Sequence, residues 1–205
     1  KLCEAVRKST VWPAAIRAPC RTSPTSGRAM CRHAGFSLTE LLLAIALLGV
    51  VTGFTVASFR TLQLDAARTR QVNQFVQAIH LARSEAMKRN GIVSLCPSQD
   101  ARSCAAPGTG WEAGWIVFAN FDRDAPASRD PDEPLVQAYA PWRGGSLRGN
   151  RPTLSFRSFG QSGVTATFTL CDARGSDAAR AVIISQTGRP RIAVRTATGH
   201  ALDCA

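Results

Sequence analysis

Histidine is scarce in this chain, with only three residues in 205: His33, His80 and His200. His33 precedes a long apolar run, His80 falls inside a helical pattern and His200 is near the C-terminal end, so no Ser/His/Asp or Cys/His catalytic set can be assembled. His80 has no Cys, His or carboxylate at i+4, which argues against a ligand pair on that helix. No C-x2-C pair exists, so a zinc knuckle is not expected. The Gly108-x-Gly110 pair has no βα unit around it and is not a dinucleotide fingerprint. The Asp122/Asp124/Asp130/Asp132 cluster has Ala125 and Pro126 where a calcium loop needs a ligand and a glycine. No cofactor and no enzymatic activity are expected. There is no internal repeat. The most telling absence is charge: residues 41–59 carry none, and the next charged residue is Arg60.

That uncharged run is long enough to cross an apolar layer of about 30 Å as a helix. Glu40 lies at its front edge, where a charge costs at least about 2.5 kcal/mol in lipid and calls for a compensating partner. The chain has 25 Lys+Arg against 14 Asp+Glu, a net +11. Seven of those cations and one acid lie in residues 1–35, leaving +5 for the rest. The headline charge therefore overstates any nucleic-acid signal. Basic residues ahead of the run predict a cytoplasmic N-terminus with the remainder outside.

Gly35-Phe36-Ser37-Leu38-Thr39-Glu40-Leu41-Leu42, behind a basic leader and ahead of the apolar run, resembles the N-terminus of type IV pilins and type II secretion pseudopilins. The resemblance implies cleavage between Gly35 and Phe36 by a prepilin peptidase and N-methylation of Phe36. It also implies a role for Glu40 in assembly, paired with the N-terminal ammonium of a neighbouring subunit. Two charges that are each costly in an apolar bundle compensate one another when paired. Met30-Cys31-Arg32-His33-Ala34-Gly35 would make a compact leader, so Met30 is the expected start, with residues 1–29 upstream of it. Two alternatives stay open: an ordinary membrane anchor with a chance Glu, and a secretory signal cleaved after Thr55-Val56-Ala57.

Past the apolar run, Leu62, Ala66, Thr69, Val72, Phe75, Val76, Ile79 and Ala82 recur at helical spacing, with Arg68, Arg70, Gln71, Gln74 and Arg83 on the other face. Asn90-Gly91 reads as the stop, which predicts one helix from Leu38 to Arg89. The period then changes to two. Strands are expected over 92–96, 115–119, 135–139, 153–159, 164–171, 180–185 and 191–195, with Phe156, Val164, Phe168, Ile183 and Val194 inward. The fold class is α+β: a long N-terminal helix packed on an antiparallel β-sheet domain, which is also the pilin fold that the resemblance implies. The expected divisions are a leader at 1–35, an apolar helix at 36–59, an amphipathic continuation at 60–90 and a β-rich periplasmic domain at 91–205.

Four cysteines follow the leader, and an oxidising export route favours disulfides. Of three possible pairings, Cys96–Cys104 and Cys171–Cys204 are favoured: the first closes a short loop and the second ties the tail to a strand. Residues 100–133 hold seven acids and three Arg and are expected as a solvated negative loop region. Residues 143–205 hold nine Arg, three Asp and no Lys. Within them, Gly188-Arg189-Pro190-Arg191 stands out, with Arg195 at strand spacing from Arg191.

Cys96-Pro97 near the helix end, Gly114-Trp115-Ile116-Val117-Phe118 and the late Gly188-Arg189-x-Arg191 together resemble the GspH/FimT branch of minor pilins and pseudopilins. That resemblance puts Gly188, Arg189 and Arg191 forward as a contact for double-stranded DNA in natural transformation, and Arg195 joins them by spacing. The implied partners are other pilins or pseudopilins, the prepilin peptidase and the inner membrane, with the C-terminal domain in the periplasm. The alternative function is a minor pseudopilin of a type II secretion system.

Overall fold

The computed structural model describes residues 37–204, with the backbone only for residues 51–58. The expected leader and the Gly35–Phe36 junction lie outside the described residues. Among the described residues one α-helix, α1 (Leu38–Arg89), is followed by eight strands. These are β1 (Ile92–Pro97), β2 (Trp115–Asn120), β3 (Leu135–Tyr139), β4 (Gly145–Gly149), β5 (Leu154–Phe156), β6 (Ala166–Asp172), β7 (Arg180–Ile184) and β8 (Pro190–Ala193). The chain divides into two compact units, one ending at Ala57 and one beginning at Ser58.

In the first unit, Ser37 caps α1. Its Oγ accepts the Glu40 N–H at 3.3 Å and its carbonyl accepts the Leu41 N–H at 3.1 Å. Ser-x-x-Glu at a helix start satisfies donors that the helix leaves orphaned and places a carboxylate at the positive end of the dipole. Leu41, Leu42, Leu43, Ile45, Leu47 and Leu48 are all more than half exposed. Among the described residues no helix is long and apolar enough to cross a membrane; residues 51–58 of the uncharged run have no described side chains.

In the second unit α1 packs on two antiparallel sheets, ordered β3-β2-β1-β5 and β4-β6-β7-β8. Val72, Phe75, Ala78, Ile79, Ala82 and Ala86 form the buried stripe of the helix. Phe75 joins the two sheets, its ring 5.3 Å from Trp115 of the first and 4.8 Å from Phe168 of the second. Burial of aromatics at this density dominates the core energetics. The helix ends as its sequence predicts: Asn90 takes a left-handed φ of 50°, and the Gly91 N–H reaches back to the Ala86 carbonyl at 3.1 Å.

The predicted helix face needs correction at its start. Leu62, Ala66 and Thr69 are exposed, whereas Arg68 and Gln71 are buried. Arg68 is drawn inward by an ion network. It donates to the carbonyl of Ala178 and to Asp65 at 2.7 Å, and Asp65 and Asp172 are both held by Arg174 at 2.9 and 2.6 Å. The Arg174 hydrogen bond holds the Asp172 carboxyl below the usual carboxylate range, and that to Asp65 does the same there. A buried guanidinium is tolerable only with this degree of pairing.

Each sheet also has an outer face. Cys96, bonded to Cys104, packs there with Ile116, Phe118 and Ala127. Cys171, bonded to Cys204, packs with Ala181, Ile183 and Leu202. Phe156 and Phe168 are inward as expected, and Ile183 is buried against the tail on the outer face. Val164 and Val194 are exposed because β6 starts later and β8 stops earlier than the period-two pattern predicts. In the acidic segment Glu133 is buried and not solvated: its carboxylate accepts the N–H of Phe121 at 2.6 Å and of Asp130 at 3.1 Å.

Candidate nucleic-acid interface

The Gly188-Arg189-Pro190-Arg191 segment is the turn and edge strand of the β7–β8 hairpin. Ser185 accepts the Gly188 N–H at 2.8 Å and donates its own N–H to the Arg189 carbonyl at 3.2 Å. Gly188 has φ +75°, and a Cβ there would collide with the carbonyl oxygen of Gly160. Only glycine fits both demands. Gly188 is buried, so its part in the motif is to shape the backbone and not to touch a ligand.

Arg189 and Arg191 are exposed. Pro190 opens an edge strand, where its missing N–H costs no ladder bond, and β8 pairs only with β7. Arg191 lies opposite Ile183, on the outer face. Among the described residues no hydrogen bond or ion pair engages either guanidinium. Some of the other arginines are engaged. Arg129 donates to the carbonyls of Arg102 and Glu133 at 2.8 and 2.7 Å, and Arg180 to that of Ala179 at 2.8 Å.

Arg195 departs from its expected place. The strand ends at Ala193, so the period of two no longer ties Arg195 to the face of Arg191. Arg195 forms an isolated bridge with Ala201, and its Nη1 donates to the Gly199 carbonyl at 3.2 Å. It belongs to the turn that returns the tail towards Cys204.

A neighbour that sequence spacing did not suggest is the Phe156–Gly163 segment. The Gly163 N–H donates to the Gln186 carbonyl at 3.4 Å, and Ser162 Oγ lies 3.0 Å from the Ser185 carbonyl. This segment adds Arg157, also exposed, to the hairpin end. The available signal was compositional: residues 134–171 and 178–202 contain no Asp or Glu. The other expected site, Glu40, is exposed in the first turn of α1.

One helix that enters through an apolar segment and packs on antiparallel sheets is the pilin fold. Residues 71–188 match the family model of Type II transport protein GspH, and residues 30–56 match that of the prokaryotic N-terminal methylation motif. The chain belongs to the GspH family, within the type IV pilin and pseudopilin superfamily. Pilin-like protein PilA1 of Thermus thermophilus is 31% identical over 170 residues, covering 77% of this chain and 97% of PilA1. Two crystal structures of the type IV minor pilin FimU of Pseudomonas aeruginosa also match, both with a TM-score of 0.47. Their identities are 19% and 20%, with coverage of 69% and 71% of this chain and 99% and 98% of FimU. The GspH match ends at Gly188, so Arg189, Arg191 and Arg195 lie beyond it.

Proposed function

We propose that this protein is a minor pilin that takes part in pilus assembly and contacts DNA non-specifically through the β7–β8 hairpin. In this reading the prepilin peptidase cuts between Gly35 and Phe36, Phe36 is N-methylated, and the apolar helix holds the protein in the inner membrane with its β domain in the periplasm. Glu40 then pairs with the terminal ammonium of an adjacent pilin. The N-terminal methylation motif over 30–56 supports the processing steps. The observation that carries the DNA reading is the pair Arg189 and Arg191, exposed on a fixed turn and without internal partners, while Arg68, Arg129, Arg174 and Arg180 are engaged inside the protein.

Guanidinium groups held this way suit phosphate oxygens. Two or three such contacts and no recognition helix give backbone contact with weak sequence preference and an affinity in the micromolar range or weaker. Each phosphate neutralised adds about −0.9 to the slope of log K against log salt on duplex DNA. The test is a duplex titration of the full chain in non-ionic detergent micelles at two salt concentrations, beside the Arg189→Gln/Arg191→Gln variant. The variant should lose most of the binding, with a slope shallower by about 1.8. Equal binding by both proteins, or by neither at low salt, refutes the DNA reading.

The second reading is a minor pseudopilin of a type II secretion system, and the match to Type II transport protein GspH favours it. It shares the processing and assembly steps and has no need of the arginine pair.

A further inference from the structure

The β7–β8 turn has a twin. In the segment between β5 and β6, Arg157 accepts the Gly160 N–H at 2.7 Å and donates its own N–H to the Gln161 carbonyl at 2.9 Å. Ser185, Gly188 and Arg189 are joined in the same pattern. Each turn places a glycine with positive φ at the same step, +69° at Gly160 and +75° at Gly188. The two glycines touch, since a Cβ on Gly188 would strike the Gly160 oxygen. Phe159 and Arg189 are therefore next to the same backbone contact, one on each turn.

Phe159 is 82% exposed, the most exposed large apolar side chain among the described residues. The backbone beneath it is held by the turn and by the Gly163 N–H bond to the Gln186 carbonyl of the neighbouring hairpin. A single exposed apolar side chain is ordinary on a protein surface; what distinguishes Phe159 is its position, on a turn that touches the arginine-bearing hairpin. Its surroundings are mainly cationic and polar: Arg157 and Ser158 precede it, Gln161 follows, Arg83 and the half-exposed Met87 of α1 lie against Gly160, and Arg189 and Arg191 stand on the adjoining turn and strand. Both segments come from stretches without Asp or Glu. An exposed aromatic ring and guanidinium groups on touching turns suit single-stranded nucleic acid, where a base stacks on a ring and phosphates meet cations. Duplex DNA offers the cations its phosphates but keeps its base faces stacked within the helix.

We infer that Phe159 is a base-stacking residue that gives this end of the protein an added affinity for unpaired DNA over duplex. The inference rests on the DNA reading above but concerns a different residue and a different form of the ligand. The assay is fluorescence anisotropy of the full chain in non-ionic micelles with a dye-labelled oligodeoxythymidine and a duplex of equal length. Phe159→Ala should weaken single-strand binding about 5-fold or more and leave duplex binding within about twofold, while Phe159→Trp retains single-strand affinity. Phe159→Leu, which keeps bulk without a π face, should behave like the alanine variant. Because the ring buries so little, the melting temperature should be unchanged in all three.

Single-strand affinity that is unaltered by Phe159→Ala, while Arg189→Gln/Arg191→Gln lowers it, overturns the stacking role and leaves DNA contact standing. Equal losses on single strand and duplex in Phe159→Ala also overturn it. So does a variant whose one defect is reduced self-association, which would make Phe159 a contact for a second copy of the chain. A parent protein that binds neither oligonucleotide overturns both proposals.

Discussion

Breaking the Cys171–Cys204 disulfide should cost more stability than breaking Cys96–Cys104, by an amount set by the chain each closes. The bonded residues are 33 apart in the first case and 8 in the second. Loop-closure entropy in the unfolded chain then gives about 3.7 kcal/mol for the longer loop and about 2.5 kcal/mol for the shorter. The packing is comparable, since each bond sits in a small apolar cluster on the outer face of its sheet. The tail bond also holds Leu202 against Ala181 and Ile183, so losing it should loosen the outer face behind β8. For a unit of this size a kcal/mol corresponds to about 2–4 °C in Tm. The Cys171→Ala/Cys204→Ala variant should therefore melt about 7–15 °C below the parent. Calorimetry of the full chain in micelles measures the drop, and hydrogen exchange should show the loss of protection concentrated in β7 and β8. A larger drop for Cys96→Ala/Cys104→Ala, or no added exchange in β7–β8, refutes the reasoning.

Gly188→Ala should lower stability by about 1–2 kcal/mol from the left-handed conformation alone, with more from the contact at Gly160. It should also weaken DNA binding without removing a charge, which chemical denaturation and the duplex titration would detect together. The Asp172 carboxyl has a depressed folded pKa because Arg174 hydrogen-bonds to it. Its contribution is complete above the ordinary carboxylate value of about 3.9 and is lost as pH falls through the lower folded value. Asp172→Asn should therefore flatten the acid limb of a stability-versus-pH curve, and an unchanged limb would count against the ion network. Arg195→Gln should change the duplex salt slope less than Arg189→Gln does, because the Arg195 guanidinium already donates to Gly199.

The helix was legible because its signals are local: an uncharged run, apolar residues at helical spacing and the Asn90-Gly91 stop. Its buried face was less so. Arg68 turns inward because Ala178, Asp172 and Arg174 wait there, and those residues are more than a hundred positions away. β4 was not foreseen for a similar reason. Gly145-Ser146-Leu147-Arg148-Gly149 has one apolar side chain and two glycines, a poor strand by pattern. It is held by pairing with β6 and by the Glu112 carboxylate, which accepts the Leu147 N–H at 3.0 Å. At the candidate site the motif was visible, but the division of labour within it was not. The contact that makes Gly188 indispensable comes from Gly160, and no pattern within residues 185–195 announces it.

Arg189 and Arg191 answer different questions about that site. β8 is the edge of its sheet, and an edge strand invites pairing with another chain unless something blocks it. Pro190 and Arg191 both block it, the first by lacking a donor and the second by carrying charge. Arg191 therefore has a reason to exist that involves no ligand. Arg189 precedes the strand in a turn, where no edge needs protection and no internal partner holds its side chain. A charge placed there does nothing for the fold, so its effect on binding reports on a ligand alone. A loss of DNA affinity confined to Arg191 variants could follow from disturbed solubility. The same loss in Arg189→Gln, with the melting temperature and oligomeric state of the parent, can arise only from a missing contact.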